Sequence, residues 1–352
     1  MSIIPEEHRN VARGATAIWL ILESLPKRTA KVLVPSNICY AAIYPILYSG
    51  SRPVFCDVDG KTGNVTKALV EDALRKHEID CAIFPHMYGN PIDEFPGIVE
   101  VVHQVGGLVI EDCASSMGAQ YCAGGYVGHM GDYSVYSTGY SKTIELGFGG
   151  IVASGRRPLS EIDFSLLDRL PLFNEELERR EKLFSKIYRC IRNERIVTAF
   201  ESSIFRGLAS PLRDIFLCRI TRDQEKVIEN ALTALPDVVA RRRQQYMSYC
   251  CLIGDLPKGV MPYPMASGAV PWRWSCLVDP KRRQDVIDAS LELGMPISDW
   301  YPCVSGYFGD CGTYSNAEIM GSSIVNLPLL IDDEELKRNA RNFKAVLEDC
   351  FA

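Results

Sequence analysis

Short apolar runs alternate with segments of helical spacing through the first third of the chain. The spacing of apolar residues predicts helices over 15–24, 38–49, 66–77 and 95–105, and short β-rich runs predict strands over 31–35, 53–58, 80–84 and 107–111. Such alternation is typical of βαβ units, whose parallel strands form a sheet covered by helices on both faces. We therefore predict an α/β fold with a mainly parallel sheet.

Beyond residue 130 the pattern changes. Two short β runs around 131–137 and 149–154 flank a glycine-rich loop, whereas residues 160–215 are rich in Leu, Arg and Glu and lack strand signals. We interpret 160–215 as several helices that extend toward a second domain or a partner subunit. The last third shows one helical stretch from about 222 to 249, then strand-like pieces at 274–278 and 323–328 and helices at 282–293 and 333–348.

The length and the change of pattern predict two domains. The chain has 352 residues, which is long for a single small core. We predict a large domain over 1–215 and a smaller C-terminal α+β domain over 216–352.

Composition narrows the class of protein. Hydrophobic residues make up 47% of the chain and the net charge is -6, which is typical of a globular protein and argues against a nucleic-acid partner. The 13 cysteines are scattered and show no zinc-site spacing, so we expect reduced cytosolic thiols and no metal. The N-terminus lacks a long apolar core, and no apolar run reaches the length of a membrane helix. We therefore expect a cytoplasmic protein without a membrane partner.

Four features stand where an enzyme that uses pyridoxal 5'-phosphate (PLP) needs them. Such an enzyme needs a lysine to hold the cofactor's aldehyde, a carboxylate on the pyridine nitrogen and a cradle for the phosphate. Lys142 precedes a glycine-rich loop, and Asp112 ends the apolar run GLVIED. Ser137 lies five residues before Lys142, and small residues at 14–17 open the first helix, where free N–H groups and the helix dipole favour phosphate.

Each of these features also has an ordinary structural interpretation. Asp112 could cap a helix, Ser137 could simply end a strand, and the segment 14–17 could be a capped helix start. A lone lysine is usually a solvated surface charge. The residues around Lys142 are small or apolar, however, and we expect a desolvated lysine with a lowered pKa that makes it nucleophilic.

Five motifs in order give the chain a resemblance to a known family. They read RGATA, VPSNICYAAIYPILYSGSRPVFCDVD, PHMYGNPID, EDCASSMGA and GDYSVYSTGYSK…GFGGIV. The chain resembles the DegT-type sugar aminotransferases, which are fold-type-I PLP enzymes. The resemblance is close over 12–154, weakens through 160–215, and resumes loosely in ARRRQQY, SDWYP and VNLPLL.

The resemblance implies a role for each matching residue. Lys142 would bind PLP covalently and Asp112 would pair with the pyridine nitrogen. The phosphate would be held by Ser137, Thr16 and Ala17. Arg219, in CRIT, would reach the phosphate of the neighbouring subunit, so that a homodimer would share its active sites.

Three positions depart from the family's pattern. Ser115 stands where relatives usually have a glutamine, which puts the contact to the cofactor's ring hydroxyl in question. The aromatic residue that stacks on the ring aligns with Cys39, with Tyr40 next to it, and the sequence does not choose between them. Phe148 replaces a usual glutamate. The chain is therefore a divergent member, and its substrate could differ from a typical nucleotide sugar.

The resemblance implies an aminotransferase that moves an amino group from glutamate or glutamine to a keto sugar, normally nucleotide-linked, in glycan or secondary-metabolite biosynthesis. Two alternatives stay open: a PLP enzyme acting on a non-sugar ketone such as a cyclitol, and a binding or regulatory protein that has lost turnover.

Four further features of the sequence could be functional or simply structural. His86 is as readily a structural histidine as a functional one. Trp300 and Tyr301 either line the substrate entrance or only pack, and the run 241–243 is interpreted as a solvated helix face.

Overall fold

A seven-stranded mixed sheet forms the centre of the protein in the computed structural model, which describes residues 2–193 and 204–352. Its strands are β1 (His8–Val11), β2 (Lys31–Pro35), β3 (Arg52–Cys56), β4 (Cys81–Pro85), β5 (Leu108–Asp112), β6 (Tyr133–Ser137) and β7 (Gly150–Ser154), in the order β1-β7-β6-β5-β4-β2-β3. Strands β3, β2, β4, β5 and β6 are parallel, and β7 is antiparallel to both β6 and β1. The predicted α/β class and mainly parallel sheet are confirmed, with β1 an addition that the sequence did not predict.

Helices cover both faces of this sheet. The first four are α1 (Gly14–Glu23), α2 (Tyr40–Tyr48), α3 (Lys67–Lys76) and α4 (Phe95–Gln104). Val32 and Val34 of β2 pack with α1 and α2, whereas Leu33 between them packs with α3 and α4. Successive side chains of β2 therefore point to opposite faces of the sheet and pack into two separate hydrophobic cores.

The helical segment that follows the sheet covers the same face as α1 and α2. It contains α5 (Glu175–Asn193), α6 (Ile204–Gly207) and α7 (Ala209–Phe216). Phe184, Phe205 and Phe216 join the core of α1 and α2. The prediction of helices over 160–215 is confirmed where the structure describes them, and 194–203 lie outside the described residues. These helices pack on the large sheet instead of crossing to a second domain.

Two helices connect the large sheet to the C-terminal part. The sequence predicted one helix here, and this was wrong: α8 (Arg222–Leu232) ends before α9 (Leu235–Ile253) begins. Pro236 lies in the first turn of α9, where its missing N–H and fixed φ are tolerated; inside a continuous helix it would break the hydrogen-bond ladder.

A second, three-stranded antiparallel sheet lies in the C-terminal part. It has the order β10-β9-β8, from β8 (Val260–Pro262), β9 (Trp274–Val278) and β10 (Ile324–Leu327), and it is accompanied by α10 (Arg283–Glu292), α11 (Ser315–Ser323) and α12 (Asp333–Phe351). The domain boundary after residue 215 stays a prediction. Across the two described ranges, no helix is both long enough and apolar enough to span a membrane.

Candidate active site

The predicted site residues meet at the carboxyl ends of two neighbouring parallel strands. Asp112 is the last residue of β5 and Ser137 the last of β6. A Cβ placed on Gly14 would lie 3.5 Å from the Cβ of Ser137, so α1 begins against the tip of β6. Lys142 follows in the loop between β6 and β7. Ligand sites in open α/β sheets lie at this edge.

The lysine contacts a short chain of hydroxyl groups. Nζ of Lys142 donates to Oγ of Ser115 over 3.4 Å, and the same oxygen lies 3.4 Å from the hydroxyl of Tyr301. Tyr301 is only 7% exposed. The sequence treated Tyr301 as an entrance or packing residue, whereas the structure brings its phenol to the lysine.

Two side chains from the C-terminal part fix the backbone of the lysine loop. Arg242 of α9 donates to the carbonyl of Lys142 over 2.6 Å, and the indole of Trp272 donates to the carbonyl of Ser141 over 2.6 Å. Arg242 is buried, and burial lowers its pKa to about 10. The prediction that 241–243 form a solvated face is wrong for Arg242, because its guanidinium points inward to backbone carbonyls.

Burial and charge act against each other at the lysine and the aspartate. Burial raises the pKa of Asp112, and the nearby ammonium of Lys142 only partly offsets this effect. Burial by itself lowers the pKa of Lys142, but Tyr301, Cys39 and Asp112 outweigh it, so its pKa is raised. The expectation of a lowered pKa for Lys142 is therefore wrong for the protein alone, because acidic groups surround the amine.

The start of α1 presents backbone N–H groups, but that of Ala17 is already used within the helix. The N–H of Ala17 already donates to the carbonyl of Arg13 over 3.1 Å. The N–H groups of Gly14, Ala15 and Thr16 precede this bond, so they have no partner in the helix's own hydrogen-bond ladder. The hydroxyl of Thr16 donates to the carbonyls at 216 and 218, so only its backbone N–H is available to a phosphate.

Ser137 completes this group of donors. Its Oγ accepts from the N–H of Gly139 over 3.2 Å, which leaves the hydroxyl hydrogen to donate elsewhere. Free N–H groups, this hydroxyl, the buried carboxylate of Asp112 and the amine of Lys142 match the phosphate, the protonated pyridine nitrogen and the aldehyde of PLP. The residues present therefore fit that cofactor.

The structure distinguishes the two residues considered for stacking on the cofactor ring. Cys39 interacts electrostatically with both Lys142 and Asp112, and burial raises the pKa of its thiol. Tyr40 faces the core, where its ring lies 4.4 Å from that of Tyr188. Of the two, Cys39 is thus the residue beside Lys142, and the contact of either with a cofactor ring stays a prediction. Phe148, the third departure, stacks on Phe173 with ring centroids 5.3 Å apart.

Arg219 is held within its own chain. Its Nε donates to the carbonyl of Leu170 over 3.1 Å, and its backbone pairs with Pro171 and Phe173. A role toward the phosphate of a neighbouring subunit stays a prediction.

His86 belongs to a buried hydrogen-bond network around Glu111, the residue that precedes Asp112 in β5. Nε2 of His86 lies 3.1 Å from Glu111, and its Nδ1 accepts from the N–H of Ile92. Glu111 also accepts from Tyr121 and from three backbone N–H groups at 128, 130 and 131. His86, Glu111 and Cys113 are close enough together to suggest metal ligands. The carboxylate, however, is already saturated with donors, so the cluster has a structural role.

Sequence reasoning missed Arg242 and Trp272 as supports of the lysine and gave Tyr301 too little weight. Arg242 lies in ARRRQQY and Tyr301 in SDWYP, which belong to the weak C-terminal part of the resemblance, whereas Trp272 lies in neither segment. Nothing in the local spacing of either segment points to the lysine loop.

Two known proteins show the similarity of this chain to others in sequence. GDP-perosamine synthase of Escherichia coli O157:H7 is 34% identical over 150 residues, which are 42% of this chain and 40% of that protein. A dTDP-4-dehydro-2,3,6-trideoxy-D-glucose 4-aminotransferase of Saccharopolyspora spinosa is 27% identical over 359 aligned residues, 99% of this chain and 86% of the relative. The first match thus spans well under half of its relative, and the second spans most of it.

The solved structures share the fold. The aminotransferase TlmJ of Streptoalloteichus hindustanus superposes with a TM-score of 0.73 over 98% of this chain and 86% of its own, at 20% identity. The model of the DegT/DnrJ/EryC1/StrS aminotransferase family matches residues 9–166. This segment, which carries Asp112, Ser137 and Lys142, is the part of the chain that is similar to the DegT/DnrJ/EryC1/StrS aminotransferase family.

Proposed function

We propose that the protein is a PLP-dependent aminotransferase that moves an amino group from glutamate or glutamine to the keto group of a nucleotide-linked sugar. One observation carries the proposal: the amine of Lys142 and the buried carboxylate of Asp112 share a sheet edge with the free N–H groups of α1 and the hydroxyl of Ser137. The sugar aminotransferases to which the chain is similar support the substrate class.

The proposal extends to the setting of the enzyme. It would work in the cytoplasm as a homodimer, with Arg219 reaching the phosphate site of the partner subunit and PLP bound covalently to Lys142.

Bound PLP would supply an electron sink for the carbanion that forms at the donor's Cα. Asp112 would hold a proton on the cofactor's ring nitrogen, in a buried site where an ion pair is weakly screened. Nζ of Lys142 would act as the base that takes the proton from the donor's Cα. The hydroxyl of Ser115 would orient Nζ, and Ser137 with the N–H groups of Gly14–Thr16 would anchor the phosphate.

The first experiment tests the lysine. Protein saturated with PLP should absorb visible light, and borohydride should fix the cofactor to the peptide that contains Lys142. Lys142→Ala should lose the visible band, whereas Lys258→Ala, which removes an exposed lysine before β8, should keep it. A colourless wild-type protein contradicts the proposal, and a coloured Lys142→Ala variant means that another lysine binds the cofactor.

The second experiment tests the reaction. Glutamate or glutamine should bleach the visible band. Keto sugars and a cyclitol ketone are then added one at a time to the bleached protein, and the compound that restores the band is the acceptor. Recovery only with the cyclitol would correct the substrate class. A coloured protein that no amino acid bleaches would point to the binding or regulatory alternative.

A further inference from the structure

Ser115 is too short to make the contact that its position makes in similar enzymes. The resemblance places a glutamine there, whose amide reaches the cofactor's ring hydroxyl. The hydroxyl of serine ends about two bonds closer to the backbone than that amide, so the chain needs another donor if the ring oxygen is to be held.

The phenol of Tyr301 lies next to Ser115. Its hydroxyl is 3.4 Å from Oγ of Ser115, and that oxygen is 3.4 Å from Nζ of Lys142. Its hydroxyl is therefore close to the nitrogen that would bind the cofactor.

We infer that Tyr301, through its phenol and together with Ser115, replaces the missing glutamine as the donor to the ring hydroxyl of the cofactor. This inference rests on the proposed function. It makes Tyr301 a residue that contacts the cofactor and not a packing residue alone.

The surroundings of Tyr301 hold its phenol in place. Its ring lies 5.3 Å from that of Trp272 and 5.7 Å from that of Tyr88. Its backbone N–H donates to the hydroxyl of Tyr88 over 3.1 Å, and the carbonyl of Trp300 accepts from Asn326 over 2.8 Å. A donor fixed in this way loses little conformational entropy when it binds a ligand.

Burial also keeps the phenol in its donating form. It raises the pKa of Tyr301, so the hydroxyl stays protonated at neutral pH. A phenol that donates to the ring oxygen draws off part of that oxygen's negative charge. The oxygen then holds the proton at Nζ of Lys142 less tightly, which lowers the pH at which the visible band of the lysine-bound cofactor changes.

The test is a pH titration of that visible band. Tyr301→Phe should raise the midpoint by about one pH unit, the size expected from the loss of one hydrogen bond to a charged group. Tyr263→Phe is the matched control, because Tyr263 is a buried phenol whose ring packs on Tyr88 but whose hydroxyl donates to the carbonyl of Thr62. It should leave the midpoint unchanged.

A double variant tests the replacement itself. Ser115→Gln combined with Tyr301→Phe should return the midpoint toward the wild-type value. An unshifted Tyr301→Phe, an equal shift in Tyr263→Phe, or a double variant that stays at the Tyr301→Phe value would each overturn the inference. A wild-type protein that never develops the band would instead defeat the proposed function, so the two failures are distinguishable.

Discussion

Nη2 of Arg242 donates a 2.6 Å hydrogen bond to the carbonyl of Lys142, one hundred residues earlier in the chain. Its Nη1 donates to the carbonyls of Pro271 and Trp272 over 3.3 and 2.9 Å. One buried guanidinium on α9 thus joins the lysine loop to the segment that enters the small sheet.

We expect Arg242→Met to weaken both stability and cofactor binding. Three carbonyls would lose their donor, which should lower the free energy of unfolding by about 2–4 kcal/mol. The displaced lysine loop should also weaken PLP binding. Urea unfolding and a PLP titration measure the two effects. Arg241→Met is the control, because Arg241 is exposed and donates to the carbonyl of Ile331, away from the lysine loop. Equal effects in both variants would contradict the assignment.

Asp112→Asn should separate stability from function. Because burial raises the pKa of Asp112, the folded protein binds this proton more tightly than the unfolded chain does. The charged carboxylate therefore lowers the free energy of unfolding. This loss grows as the pH rises from the ordinary pKa of 3.8 through the raised pKa. At pH 7 the cofactor-free Asp112→Asn variant should be more stable than wild type, while its PLP affinity should fall by about tenfold or more.

Urea unfolding at several pH values measures the first effect. The advantage of Asp112→Asn should shrink as the pH falls toward 3.8. A variant less stable than wild type at every pH would show that Asp112 stabilises the fold even without a ligand.

Glu111→Gln, at the preceding residue, should make the protein less stable at pH 7, the opposite of Asp112→Asn. Burial alone would raise the pKa of Glu111, but hydrogen bonds from His86, Tyr121 and the N–H of Gly128 outweigh it, so its pKa is lowered. Its stabilising effect is therefore present above the ordinary value of 4.5 and is lost as the pH falls. The amide N–H groups of a glutamine at this position would face the N–H and O–H groups that now donate to Glu111. We therefore expect the free energy of unfolding at pH 7, measured in urea, to fall by about 2–4 kcal/mol. A neutral outcome would mean that the network adjusts to the amide.

Thr16→Val and Ser137→Ala should affect different properties. Thr16 loses a hydroxyl that supports residues 216 and 218 but keeps its backbone N–H, so unfolding should become easier by about 1 kcal/mol with unchanged PLP affinity. Ser137 loses a phosphate donor, so its PLP affinity should fall by about tenfold at nearly unchanged stability. Urea unfolding curves and PLP titrations of both variants measure these two properties. A loss of PLP affinity in Thr16→Val but not in Ser137→Ala would mean that the phosphate binds elsewhere.

The sequence predicted those strands that are buried apolar runs, because burial on both faces removes polar residues from them. Strand β1, with the sequence HRNV, carries no such run and is defined by its pairing with β7. The sequence pattern did not predict the break between α8 and α9, because apolar residues keep helical spacing on both sides of Pro236.

The site could be predicted only where its residues follow strands in order. Asp112, Ser137 and Lys142 lie within 31 positions and share the ends of adjacent strands. Tyr301 and Arg242 reach the same place from another part of the chain, and no local pattern encodes that contact. Whether Ala17 offers its N–H to a ligand depends on where α1 begins, which propensity defines only loosely.

Helix α9 belongs to two cores at once: Leu235 and Val239 pack with the large sheet, and Tyr249 and Ile253 with the small one. Neither core can lose this helix without exposing apolar surface in the other. The two parts of the chain should therefore melt as one cooperative unit, with a single calorimetric transition. The lysine loop, tied to the middle of that helix, should stay protected from hydrogen exchange until the whole protein opens.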